Sequence, residues 1–117
     1  MTHDELIKNI VKILDEKKAE NIKAIEIREL TIVADCFILA SGTSSTHAKS
    51  LAGDVEDGIA KLGTEPLHVE GRATGWTVID YDTVIVHIFQ RESREYYNLE
   101  RLWQDADYID IDSLLTE

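Results

Sequence analysis

Apolar positions change their period along the chain, and each change predicts an element. Leu6, Ile10, Ile13 and Leu14 recur at helical spacing, with Ile7 and Val11 widening the stripe. Thr2 and Glu5 stand ahead of them as a capping box, so a first helix should run to about Lys18. After a link at Ala19 to Asn21, residues Ala24 to Glu29 alternate apolar and charged. That predicts a half-exposed strand with Glu26 and Arg28 on its polar side. Cys36 to Ala40 is continuously apolar, as suits a central strand buried on both faces. Small residues from Ser41 to Ser45 then form a loop in which Ser44 or Ser45 can cap a second helix. Its stripe is Ala48, Leu51, Ala52, Val55, Ile59 and Leu62, with Gly63 as its stop. Gly53 and Gly58 inside this helix each cost up to about 1 kcal/mol against Ala, and close packing is the expected reason.

The chain is organised around residues 71–89. Trp76 to Asp80 and Val84 to Phe89 are β-rich runs, joined by Asp80-Tyr81-Asp82-Thr83, which predicts a hairpin. With Tyr81 and Asp82 as the two loop residues, Asp80 pairs with Thr83, Val78 with Ile85, and Trp76 with His87. Alternation puts Trp76, Val78, Asp80, Ile85, His87 and Phe89 on one face, and Thr77, Ile79, Tyr81, Val84, Val86 and Ile88 on the other. Both faces are largely apolar. Either helices cover both, or one face awaits a partner.

Pro66 precedes a short extended piece, Leu67 to Glu70. After the hairpin, Ser93 is the expected cap of a third helix with Tyr96, Leu99, Leu102 and Trp103 on one side. The tail from about residue 104 holds Asp105, Asp107, Asp110, Asp112 and Glu117 without a basic residue. Its Tyr108, Ile109, Ile111, Leu114 and Leu115 predict that part of it docks. The order α, β, β, α, β, β, β, α gives a mixed α/β (α+β) layer fold, a sheet of about five strands with helices packed on it. A chain of 117 residues suits one domain over its whole length.

Composition narrows the function. No run approaches the roughly 18 apolar residues of a membrane span. The opening MTHDELIKN lacks a basic n-region and an apolar h-region, so it does not read as a secretory signal, and its acids argue against a transit peptide. The lone Cys36 lies in an apolar run and reads as a small buried hydrophobe in a reducing, cytoplasmic setting. The net charge of −11 repels phosphates, making free DNA or RNA a poor partner, and favours a basic one.

Two arrangements could carry chemistry. Asp80 and Asp82 form a D-x-D pair able to hold Mg²⁺, and SGTSS before the second helix could seat a phosphate. Together they are parts of a metal-dependent nucleotidyltransferase. Against this, Asp and Ser are ordinary turn and capping residues, and nothing supplies the basic groups a triphosphate needs. The expectation is therefore no catalysis, no metal and no cofactor. His47, His68 and His87 lack metal-ligand spacing, and His87 beside Trp76 reads as a packed, hydrogen-bonded histidine. Arg91, Arg94 and Arg101 either bridge to Glu92, Glu95 and Glu100 or contact a phosphate or acidic group on a partner.

Five ordered segments carry a resemblance: DCFILASGTS at Asp35 to Ser44, Glu70-Gly71, WTVIDY at Trp76 to Tyr81, VHIF at Val86 to Phe89, and REYYNLERLW at Arg94 to Trp103. Together they resemble the ribosomal silencing factor family (RsfS, Iojap-like), over nearly the whole chain. The resemblance implies a nucleotidyltransferase-like shape without its active site. It implies binding to large-subunit ribosomal protein fourteen beside the intersubunit face, which blocks small-subunit joining and lowers translation under starvation. The sequence departs from the family at Cys36, where an aromatic is usual, and at Asp82, where Gly is usual; the second departure weakens the metal reading. Trp is enriched at binding hot spots, and the expected partner-binding residues are Trp76, Asp80 and Tyr81, flanked by Glu70 and His87. A homodimer in the free state is a further expectation, since an exposed apolar face can be hidden that way.

Overall fold

Thr2 and Glu5 form the capping box in the computed structural model, which describes residues 1–72 and 74–116. Glu117, the last acid of the tail, lies outside the described residues. The box starts α1 (His3–Glu16), which ends ahead of Lys18, a residue with φ of 64°. Then come β1 (Glu20–Glu26), β2 (Cys36–Gly42), α2 (Ser45–Lys61), β3 (His68–Glu70), β4 (Trp76–Asp80) and β5 (Val84–Gln90). The chain continues through α3 (Arg91–Tyr97), a 3-10 segment (Leu99–Trp103), β6 (Asp107–Ile109) and α4 (Ile111–Leu115).

The strands form one six-stranded sheet in the order β3-β4-β5-β2-β1-β6. Only the central pair, β2 and β5, is parallel. All of β2 is buried, as is β5 up to Gln90, so the continuous apolar runs do occupy the centre. The sheet has six strands because the tail adds one: β6 pairs with β1 through Ala24 and Ile109. Ile109, Ile111, Leu114 and Leu115 pack on the core, so the acidic tail docks along its apolar side.

β1 begins earlier than its alternation predicts and ends before Arg28. Asn21, at φ of 54°, lies within an irregularity between Glu20 and Lys23 that re-phases the strand.

The hairpin register is also corrected. Asp80 pairs with Ile85, Val78 with His87 and Trp76 with Phe89. Tyr81 N–H donates to Val84 O at 2.9 Å, so Tyr81 belongs to the ladder and the two loop residues are Asp82 and Thr83. The buried ring of Tyr81 draws the strand one residue further than turn chemistry suggests. Because the pairing slips by two, every side chain keeps its expected face.

Helices α1 and α2 cover the first face. Leu6, Ile10, Leu14, Leu51, Val55 and Ile59 meet Ile38, Ile79, Val84, Val86 and Ile88. A Cβ on Gly58 would come within 2.5 Å of Ile13 Cδ1, so this glycine lets α1 and α2 approach closely. Gly53 would meet nothing within 4 Å, and the packing explanation does not extend to it.

The second face has thinner cover. Ile25, Ile27, Phe37, Leu39, Ile85 and Phe89 are packed by Leu99, Trp103 and Ala106. α3 is capped at Gln90 without a side-chain bond, not by Ser93. It ends because Asn98 adopts φ 43°, ψ 54°, and the chain resumes as a 3-10 turn. That break undoes the single helical side expected here: Leu99 and Trp103 turn inward while Tyr96 and Leu102 are exposed.

Asp82 has φ of 74°, and Thr83 N–H donates to Tyr81 O across it at 3.0 Å, a γ-turn of the rarer, strained hand. Asp82→Gly should relieve that strain and stabilise the fold by about 1 kcal/mol. Urea midpoints of the two proteins check this; an unchanged or lower midpoint for the glycine variant would refute it.

Candidate protein-docking face

Strand pairing assembles the candidate site. Side chains paired across neighbouring strands share a face, so the rows Glu70–Val78–His87 and His68–Asp80–Ile85 lie beside Trp76–Phe89. The short strand β3 forms the sheet edge, and its Glu70 and His68 are exposed. Trp76 and Val78 on β4 are only half-buried, although they pack on the core of this face. An apolar strip beside carboxylates therefore reaches solvent here.

Trp76 is held on several sides. Its indole N–H donates to His87 Nδ1 at 3.1 Å. Its ring stacks on Phe89 at 5.1 Å and 24°, and meets Tyr97 at 4.8 Å. Tyr97 in turn meets Tyr96, which is 82% exposed, so aromatic surface continues from Trp76 onto α3.

His87 is 6% exposed and lies edge-on to Phe37 at 4.6 Å. It is thus packed and hydrogen-bonded, as its position beside Trp76 predicted. An indole N–H can only donate, so Nδ1 is bare and Nε2 carries the proton. Nε2 is buried and has no hydrogen-bond partner, which costs about 1–3 kcal/mol. Burial lowers the His87 pKa to about 4 and keeps the ring neutral.

Asp80 Oδ1 accepts from Asp82 N–H at 2.7 Å and fixes the turn. Its other oxygen faces His68 Nδ1 at 3.8 Å, and His68 Nε2 lies 3.4 Å from Glu70. His68 therefore stands between the two carboxylates of the face. Sequence reasoning set it aside when testing for metal spacing. The usable signal was its alternation phase, two residues from Glu70.

Tyr81 departs from the other candidates. Its side chain lies on the opposite face, buried in the α1–α2 layer with its hydroxyl unpartnered. Burial raises its phenol pKa well above the ordinary value. Trp76, Asp80 and Glu70 thus come together at the surface, His87 lies beneath Trp76, and Tyr81 reaches the turn only through its backbone. Tyr97 was missed because an uninterrupted third helix would have put Tyr96 on the packed side.

The parts expected of a nucleotidyltransferase are apart. The SGTSS segment begins on the last two residues of β2, of which Gly42 pairs with Gln90 at the end of β5, whereas Asp82 precedes the start of β5, where Val84 pairs with Cys36. A strand of this length separates the two by roughly 20 Å, too far to hold one phosphate and its metal. Two amides at this helix start are also engaged: Ser44 Oγ accepts from His47 N–H at 3.1 Å, and Thr43 N–H donates to His47 Nδ1 at 2.9 Å.

Arg94 is buried and bonds Glu100 at 3.0 Å and Ser41 at 3.1 Å, while Arg91 pairs with Glu20 of β1 at 2.8 Å. These two arginines follow the salt-bridge reading, with Glu20 standing in for a sequence neighbour; Arg101 is exposed. Cys36 is fully buried and burial pushes its thiol pKa up to about 12, as befits a small core residue. No helix among the described residues is long and apolar enough to cross a membrane.

Comparison with known proteins agrees with the resemblance. The family model described as "Ribosomal silencing factor during starvation" matches residues 1–117. A protein of Halalkalibacterium halodurans named ribosomal silencing factor RsfS is 32% identical over 117 residues, covering 99% of this chain and 100% of the relative. A Bacillus subtilis protein of the same name is 33% identical over 113 residues, covering 96% of each. A Chromobacterium violaceum crystal structure superposes with a TM-score of 0.85 at 28% identity, covering 89% of this chain and 88% of that one.

The buried neutral His87 predicts an acid sensitivity. Its pKa is about 4 in the fold against an ordinary value of 6.5. The unfolded chain therefore binds more protons between those values, and stability falls as pH drops from about 6.5 towards 4. The loss should reach up to about 3 kcal/mol. Urea unfolding of the parent and of His87→Leu across this window isolates it from carboxylate titration. Parallel pH profiles for the two proteins would contradict the assignment.

Proposed function

The chain belongs to the ribosomal silencing factor family, and on that premise we propose that it binds large-subunit ribosomal protein fourteen and stands where the small subunit would dock. The family is one of ribosome-binding factors that perform no catalysis, and association with the large subunit is its common property. The observation that carries the finer reading is the face that starts at Trp76: a half-buried indole on a thinly covered sheet, with Glu70 across from Val78 and Asp80 at the other end of the same strand.

Such a face suits a basic, partly apolar protein surface. Trp76 would be the anchor, and Asp80 and Glu70 the rim contacts that meet basic groups. Tyr81 would contribute from beneath, by tying the turn that carries Asp80 to the core. A stable interface of about 1,200–2,000 Å² in total is enough to exclude another macromolecule from the same place. Repression by this route needs only occupancy, in the cytoplasm where subunits meet. A free homodimer would bury the same apolar strip and would have to release it before the subunit binds.

Sedimentation with separated ribosomal subunits tests the reading. The protein should co-sediment with large subunits and not with small ones; equal recovery with both, or with neither, counts against it. Its association rate should fall with added salt, because the rim is acidic and the partner basic.

Trp76→Ala should weaken large-subunit binding by about 2 kcal/mol or more. Its folding cost should stay below the roughly 3–5 kcal/mol of a fully buried aromatic, because the residue is not fully buried. A denaturation midpoint and a binding constant on the same variant decide it. A badly destabilised variant that binds normally once folded would remove Trp76 from the interface.

A further inference from the structure

One polar residue on the apolar second face has no packing reason to be there. His87 occupies a row with Val78 and lies among Phe37, Phe89 and Trp76, with its Nε2 unpartnered. An aliphatic side chain would fill that place without bringing in an unmatched buried N–H of its own. What His87 alone supplies is an acceptor at 3.1 Å for the Trp76 indole. Phe89 and Tyr97 fix the plane of the ring by contact, but neither can fix which way its N–H points.

We propose that His87 is a positioning residue of the docking face, whose bare Nδ1 holds the Trp76 indole in the orientation a protein partner meets. His87 is itself too buried to be a principal contact, so its effect on binding runs through Trp76. An anchor already set in one rotamer loses less freedom on binding, and the free protein pays that ordering cost during folding. This proposal rests on the reading of Trp76 as an interface anchor, and its test separates the two.

The test uses His87→Leu, which removes the acceptor, and His87→Asn, whose Oδ1 is bonded to Cγ just as Nδ1 is. Each is made with Trp76 intact and in Trp76→Phe, which keeps a ring and lacks the N–H. With Trp76 intact, His87→Leu should weaken binding to purified large subunits about five- to tenfold, the worth of one hydrogen bond. In Trp76→Phe the same change should matter less than about twofold, because no N–H remains to be held. His87→Asn should restore most of the affinity. Equal losses in both backgrounds would mean a structural or direct role for His87 and overturn the proposal, as would no loss with Trp76 intact.

A second readout needs no ribosome. The chain has two tryptophans, so ¹⁵N labelling gives two indole signals, and the one missing in Trp76→Phe is Trp76. That signal should shift and exchange faster with solvent in His87→Leu, and stay near its parent position in His87→Asn. In the unaltered protein, imidazole ¹⁵N shifts should report a bare Nδ1 and a protonated Nε2; the opposite tautomer would overturn the proposal. Normal large-subunit binding by Trp76→Ala would instead sink the functional reading, while the indole spectra still judge the hydrogen bond.

Discussion

The parallel pairing of β2 with β5 is the constraint on which the rest of the structure depends. Parallel neighbours cannot be joined by a tight turn, so the chain must leave the sheet and return. Here it leaves as α2 and re-enters through β3 and the β4–β5 hairpin, which lands β5 beside β2 over seven paired residues. Both strands are then buried on both faces, and the sheet needs two layers of cover. The pairing also fixes polarity. Loops after β2 and β5 gather at one end of the sheet, and the hairpin turn sits at the other. That separation leaves the D-x-D pair and the SGTSS loop without a common site.

The two layers are unequal, and the inequality is where function enters. α1 and α2, closed together over Gly58 and supplemented by α4, bury the first face thoroughly. Among the described residues, the second face receives α3, one 3-10 turn, Ala34 of the β1–β2 loop and the start of the tail. Leu99 and Trp103 reach across β5, β2 and β1, while β4 at the far side keeps Trp76 and Val78 half-open. The third helix gives them one ring contact, that of Tyr97 on Trp76. Asn98, in the left-handed conformation, stops that helix after seven residues. The chain then resumes as the 3-10 segment whose Leu99 and Trp103 pack on this face.

Most of this was legible in the sequence wherever burial is periodic. The stripes of α1 and α2, the apolar runs of β2 and β5, and the two faces of the hairpin all follow from period alone. What could not be read depended on single residues acting against local preference. The loop of the hairpin moved by one because the buried Tyr81 joins the ladder, which leaves Asp82 and Thr83 as the loop. The third helix broke at Asn98, although Tyr96, Leu99, Leu102 and Trp103 kept a helical spacing across the break. The docked tail was legible in its apolar residues, but pairing of Asp107–Ile109 with β1 was not, since three residues carry too little pattern to specify a strand. At the candidate face, Trp76 and Asp80 share a side by the alternation of the hairpin and Glu70 entered with the family resemblance, whereas Tyr97 required the break to be known.

Tyr81 shows how the two layers cooperate. Its ring belongs to the covered face, while its neighbour Asp80 belongs to the open one, and a strand cannot rotate one without the other. Burying Tyr81 among α1 and α2 therefore fixes the last residues of β4 from behind. Asp80 in turn accepts from Asp82 N–H, so the carboxylate is oriented by the turn it stabilises. The strained Asp82 is tolerated because that hydrogen bond and the Tyr81–Val84 ladder bond close the loop on either side. At the opposite end of β4, Trp76 is oriented by His87 from β5. The docking strand thus has its acidic end set by the well-packed layer and its aromatic end set by its own face. On the proposed reading, a partner would meet an edge region whose polar and apolar groups are already placed, although the surface itself is open. Thin cover exposes the strip, and the buried neighbours of β4 keep that exposed strip ordered.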